Sequence, residues 1–152
     1  MSFGGKRALG MTLWETTQTV NKAFERRLDT AGGNRAVWFI FLALSDGGHA
    51  TQRDLARTVG ITDATLTHHL TSLEQRGLVT RTRDDHDRRV QRIAFTAEGR
   101  ASFERMREAA LDYDRVLKAA LGDDVDLVFD ALHRLAAAAE EPPGGGRGRT
   151  VD

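Results

Sequence analysis

Two stretches of this 152-residue chain carry side chains whose types and spacing could do chemistry on a partner. The first begins at Thr62. At about 100° per residue, Leu66, Leu70 and Leu73 share one side of a helix, and the opposite arc holds Ala64, Thr65, Thr67, His68, Thr71, Ser72 and Gln75. That arc is small, hydroxylated and almost uncharged, whereas the other polar faces of the chain are rich in Arg, Asp and Glu. It suits a helix that enters a major groove about 12 Å wide and meets base edges and phosphates. Thr62, the natural cap of this helix, belongs to the same candidate set with Ala64, Thr65, Thr67, His68, Thr71 and Ser72. The second stretch is Asp87-Arg88-Arg89, at the tip of a wholly polar connection, 83–89, between two β-prone runs. Arginine favours the narrow, strongly negative minor groove, and a nearby carboxylate can hold a guanidinium in place. Alone, with Asp84, Asp85 and Asp87 offsetting the arginines, this would be ordinary solvated loop; its place behind two short helices reverses that judgement.

Other chemistries find no support. There are no cysteines, which removes disulfides, thiolate metal sites and thiol redox sensing. His49, His68, His69, His86 and His133 fall on different elements and match no metal-ligand spacing, so no metal and no cofactor are expected. No serine stands in a nucleophile-elbow context and no glycine-rich phosphate loop is present, the triplet Gly144-Gly145-Gly146 lying in the tail; an enzyme is not expected. Residues 1–7 lack the apolar core of a signal peptide, and no run approaches the roughly 18 apolar residues of a membrane span. A cytoplasmic protein without membrane contact is the expectation. Net charge is zero, but residues 51–95 carry eight basic and six acidic groups, while 96–141 carry six and eleven. The middle third is the mildly basic part, a weak pointer to a polyanion.

The elements that must position these residues can be read from periodicity and punctuation. Leu13, Thr17, Val20, Phe24 and Leu28 form one stripe of a helix over 11–30, closed by Gly32-Gly33. Asn34 can cap a second helix, 35–44, which is apolar nearly all round and is expected to be buried on several sides. Ser45–Gly48 reads as a turn. Thr51-Gln52-Arg53-Asp54 has capping-box spacing and opens a short helix that Gly60 interrupts. The helix from Thr62 then runs to about Arg76, with Gly77 at its C′ position. Two short helices around a tight turn, followed by a hairpin from 78–82 and 90–95, make a winged helix-turn-helix. Thr96 can cap a long helix to about Leu121, on which Phe103, Met106, Ala110, Tyr113, Leu117 and Ala120 form a narrow seam; Asp123 can cap a last helix.

Nothing in the chain is obviously long enough to cover that seam, so a second copy is inferred: a homodimer with interleaved terminal helices. Leu13, Val20, Leu117, Val128, Phe129 and Leu132 are its candidate contacts. The expected organisation is a flexible N-terminus over 1–10, dimerisation helices over 11–33 and 97–140, the winged helix-turn-helix over 34–96, and a disordered tail over 141–152. The fold class is mainly α with a small β-hairpin wing.

These residues also resemble a known family. Thr-Gln-Arg-Asp-Leu-Ala (51–56), Ile-Thr-Asp-Ala-Thr-Leu-Thr (61–67), Leu-Glu-Gln-Arg-Gly-Leu-Val (73–79), Asp-His-Asp-Arg-Arg (85–89) and Phe-Thr-Ala-Glu-Gly (95–99) resemble the MarR (multiple antibiotic resistance regulator) family of bacterial transcription factors. The resemblance implies a homodimer on a pseudo-palindromic double-stranded DNA operator, with Arg89 in the minor-groove position, held by Asp87, and Arg88 beside it. It further implies a repressor released by a small phenolic or aromatic-acid effector. Such a ligand is expected among Val20, Phe24, Trp38, Phe41, Met106 and Tyr113, each of which has plain core packing as its competing role. His68 and Ser72 stand where the family commonly has basic residues, which softens the charge of the reading face. The competing function is therefore a winged-helix protein–protein interaction module with lost or weak operator binding.

Overall fold

The computed structural model describes residues 2–3, 6–47, 50–88 and 90–140; the tail expected to be disordered, 141–152, lies outside them. The chain divides into two compact units, Met1–Tyr113 and Asp114–Asp152.

In the first unit, β1 (Ser2–Phe3) pairs antiparallel with β2 (Lys6–Arg7), within the segment expected to be flexible. Helix α1 (Leu9–Thr30) starts two residues before the expected position. Asn34 caps α2 (Arg35–Gly47) through Oδ1, which accepts the Val37 N–H at 2.9 Å. The helix runs through Ser45–Gly47, where a turn was expected. Val37, Ile40, Phe41 and Leu44 are buried, but Phe39 and Leu42 are 44% and 38% exposed. The all-round apolar α2 is thus covered on one side only, because α1, α3 and the sheet all meet that side.

Strand β3 (Ala50–Thr51), which periodicity did not reveal, leads into α3 (Gln52–Val59). Thr51 pairs with Arg92 of β5 and also caps α3, its Oγ1 accepting the Asp54 N–H at 3.1 Å. Gly60 turns the chain at φ 73°, a left-handed conformation that a side chain would strain. Thr62 then caps α4 (Asp63–Gln75). Strands β4 (Val79–Arg83) and β5 (Gln91–Phe95) form the hairpin, and β3 adds to it in the order β3-β5-β4.

Helix α5 (Ala97–Leu121) begins where Thr96 Oγ1 accepts the Gly99 N–H and donates to the Gly77 carbonyl at 2.6 Å. Gly99 lies on the Leu78 backbone, and a Cβ there would sit 1.7 Å from the Leu78 oxygen. One core joins Leu28, the inner face of α2, Leu55, Leu66, Leu70, Leu73, Leu78, Val79, Ile93, Phe103 and Met106. The α5 seam is therefore corrected in part: Phe103, Met106 and Tyr113 pack inside the protomer, and Leu111, Val116 and Leu121, off the seam, are left exposed. Hydrophobic spacing alone could not say which face meets the chain's own core.

The second unit comprises the end of α5 from Asp114, a 3-10 turn (Gly122–Asp124) and α6 (Val125–Glu140). None of the α6 residues is buried; Leu127 is 62% and Phe129 49% exposed.

Substituting Gly99→Ala should force backbone apart at the α5 entry and cost about 1–3 kcal/mol. Gly10→Ala, in open space on α1, should be neutral or slightly stabilising. Urea denaturation checks the pair; an unchanged midpoint for Gly99→Ala would refute the close contact.

Candidate nucleic-acid interface

Helix α4 has two distinct sides. Leu66, Leu70 and Leu73 are buried, which leaves Ala64, Thr65, Thr67, His68 and Ser72 exposed together, with Thr71 half-buried beside them. The amphipathic spacing thus fixes the outward arc by fixing the inward one. The hydroxyls on that arc are not equivalent. Thr65 shares a hydrogen bond with Thr62 at 2.9 Å, and Thr67 donates to the Asp63 carbonyl and accepts from Gln52 Nε2 at 2.7 Å. Thr71 donates to the Thr67 carbonyl and receives Arg81 at 3.4 Å. Among the described residues, the Ser72 hydroxyl is the one on the arc with no such partner. His68 lies edge-on to His69, ring centroids 6.1 Å apart.

Two braces hold this surface, and neither was legible in the sequence. Gln52, at the start of α3, reaches α4 through Thr67. Arg81, on β4, donates through Nε to Glu74 Oε2 at 2.8 Å and through its terminal nitrogen to the same oxygen, tying wing to recognition helix. This bond holds the Glu74 carboxyl below its usual range. Residues 74 and 81 lie on different elements, so no local spacing rule announces the pair.

The hairpin tip is organised by Asp84. Its Oδ1 accepts the backbone N–H groups of His86 at 2.8 Å and Asp87 at 3.1 Å, while Oδ2 accepts from Arg92 Nε. The backbones of Asp84 and Val90 close the loop, and Val90 N–H also donates to the Asp87 carbonyl. The signal available in the sequence was an Asp two residues before a loop amide, the Asx-turn arrangement, but three aspartates offered it. Asp87, expected to support the wing arginine, enters the turn through its own N–H and carbonyl; Arg89, the other half of that expected pair, lies outside the described residues. Arg88 is exposed at the tip.

The candidate ligand residues also come together, as packed core. Phe24 stacks on Tyr113 at 5.9 Å and meets Trp38 edge-on, and Trp38 stacks on Phe103. Tyr113 donates to the Val20 carbonyl at 2.9 Å and lies under the Arg27 guanidinium. Phe41 and Met106 are fully buried nearby. Two open clefts lie elsewhere, one beside the wing and one between α1 and the start of α2.

Among the described residues no group of His, Asp and Glu could hold a metal ion, and no helix is long and apolar enough to cross a membrane.

Comparison with known proteins places this geometry. Residues 32–90 match the model of the MarR family. An HTH-type transcriptional regulator of Bacillus subtilis, YdgJ, is 28% identical over 123 residues, 78% of this chain and 73% of its own. The transcriptional repressor CouR, solved on a 23-mer DNA duplex, superposes with a TM-score of 0.75 at 29% identity, covering 88% of this chain and 93% of its own. NadR, solved with 4-hydroxyphenylacetate, gives 0.66 at 26% identity, covering 93% and 99%. YdgJ and CouR are both described as transcriptional regulators or repressors.

Backbone donors and Arg92 lower the Asp84 pKa from its ordinary 3.8 to about 2. A carboxyl with a depressed folded value contributes stability above its unfolded value that is lost as pH falls through the folded one, so the wing turn should persist down to about pH 4 and loosen towards pH 2. An NMR titration of the Asp84 carboxyl carbon should show a midpoint near 2, raised in Arg92→Ala; a midpoint near 3.8 in the unsubstituted protein would refute the assignment.

Proposed function

We propose that the chain is a winged-helix transcriptional regulator of the MarR family, the reading that its match to the family model over residues 32–90 supports, and that it acts as a homodimer that binds a pseudo-palindromic DNA operator and represses the adjacent genes. The observation that carries this is α4 itself: one side is locked into the core by three leucines, and the other presents hydroxyls, an imidazole and a small alanine to solvent beside an arginine-bearing hairpin. That arrangement fits a major groove for α4 and the adjacent minor groove for Arg88, and the family resemblance puts Arg89, outside the described residues, in the minor groove as well. CouR, the DNA-bound relative, supports the reading by its fold and its partner.

Dimer formation is supported by apolar side chains left in solvent by the single chain. Leu13 and Trp14 on α1, and Leu127, Phe129 and Leu132 on α6, are all exposed, and apolar surface of this kind marks an interaction site. Val20 on α1, Leu117 on α5 and Val128 on α6 are half-buried. A two-fold axis would present two copies of α4 to successive major grooves.

Release by a small phenolic or aromatic acid is the finer part of the proposal. Its support is the gathering of Phe24, Trp38, Tyr113 and Met106 around Val20 and Phe41, together with the 4-hydroxyphenylacetate bound by NadR. Because these rings lie against one another, the ligand would enter by parting Phe24 from Tyr113.

Light scattering should give a dimer of the 16.8 kDa chain. Phe129→Asp combined with Leu132→Asp should yield monomers and lower affinity for the chain's own promoter DNA about 100-fold or more, since one-headed binding loses avidity. A monomeric parent protein would overturn the proposal, and promoter affinity untouched by those substitutions would favour the protein–protein module. For the ligand, 4-hydroxyphenylacetate and related phenolic acids should raise the melting temperature saturably and lower DNA affinity. The absence of any shift across such acids would remove the effector from the reading.

A further inference from the structure

An open cleft of about 740 Å³ lies between the hairpin and the N-terminal ends of α3 and α4. Its lining includes Arg53 from α3, Asp63 from α4, and Arg83, Asp87, Arg88 and Gln91 from the wing. The arginines of this region fall into two groups. Arg57 pairs with Asp54, Arg81 with Glu74 and Arg92 with Asp84. Arg53, Arg83 and Arg88 are exposed, and no ion pair joins them to a carboxylate among the described residues. Of the two lining aspartates, Asp63 occupies the first turn of α4, where the helix dipole favours a carboxylate. Three guanidiniums against two carboxylates leave the lining net positive, and its cations are those the fold does not neutralise internally.

Duplex geometry says what would fit. If α4 occupies a major groove and the hairpin tip the neighbouring minor groove, the sugar–phosphate strand dividing those grooves must pass between α4 and the tip. The cleft is that passage. We propose that it is a track for one phosphodiester strand, and that Arg53 on its helical wall and Arg83 on its wing wall grip consecutive phosphates. The inference rests on the DNA-binding reading above and deepens it: Arg53 and Arg83 set register and affinity without reading sequence, whereas the α4 arc and Arg88 lie at the grooves. Each phosphate contact releases counterions, which gives the track a thermodynamic signature separate from base reading.

The test uses the intact protein, fluorescence anisotropy and two duplexes, one from its own promoter region and one of mixed sequence and equal length. The variants are Arg53→Gln, Arg83→Gln, the double substitution, and Arg57→Gln as a paired-arginine control on the same helix as Arg53; melting curves verify folding. Each single track substitution should weaken binding to both duplexes by about the same factor, fivefold to tenfold, and flatten the dependence of log K on log salt by about 0.9, the double by about twice that. The ratio of promoter to mixed-sequence affinity should stay constant, and Arg57→Gln should change neither quantity. An unchanged salt slope in the double variant, with the parent still binding steeply, would overturn the track and leave the DNA-binding reading standing. A loss confined to the promoter duplex, or an equal effect from Arg57→Gln, would also overturn it. Failure of the parent to bind either duplex would remove the DNA-binding reading, and the track with it.

Discussion

The Leu78 carbonyl accepts the Thr96 N–H at 3.1 Å and lies so close beneath Gly99 that no side chain fits between them. Three parts of the fold meet at this contact: the turn that closes α4, the first strand of the wing, and the start of α5. Thr96 strengthens it by capping α5 while donating to Gly77, the residue that ends α4. The entry angle of α5 is therefore set by backbone contact with the end of the recognition helix. The directions in which the hairpin and α5 leave the end of α4 meet at this junction of main-chain atoms, where a side chain at position 99 has no room.

Upon that junction the molecule separates two tasks. Apolar side chains decide where each helix lies, with Leu66, Leu70 and Leu73 turned into the core formed with α2 and Ile93. Short polar bonds then decide how the presented surface is shaped: Gln52 to Thr67 on the helix, Asp84 to its two loop amides in the hairpin. The second set lies in solvent, where hydrogen bonds contribute little net stability. Their effect is on geometry, since each removes a rotational choice from a side chain or loop at the surface.

Much of this was legible because it is local. Thr51, Thr62, Asn34 and Gly60 punctuate the helices as their types require, and the spacing of the α4 leucines fixes its outward arc. What escaped was non-local or degenerate. Strand β3 is only two residues long and exists because β5 offers an edge to Ala50 and Thr51. The α5 seam was visible as a pattern, but periodicity is silent on whether Phe103 and Met106 meet α2 or another molecule. In the hairpin, Asp84, Asp85 and Asp87 are chemically alike in sequence, and only the fold of the turn shows that Asp84 reaches two amides and Arg92.

By bridging β4 to Glu74 and Thr71, Arg81 ties the hairpin root to the far end of α4. On the proposed reading of α4 and the hairpin as a DNA-binding pair, this brace would resist any swing of the hairpin towards a helix one step out of register, and the duplex would have to bend or twist to meet both.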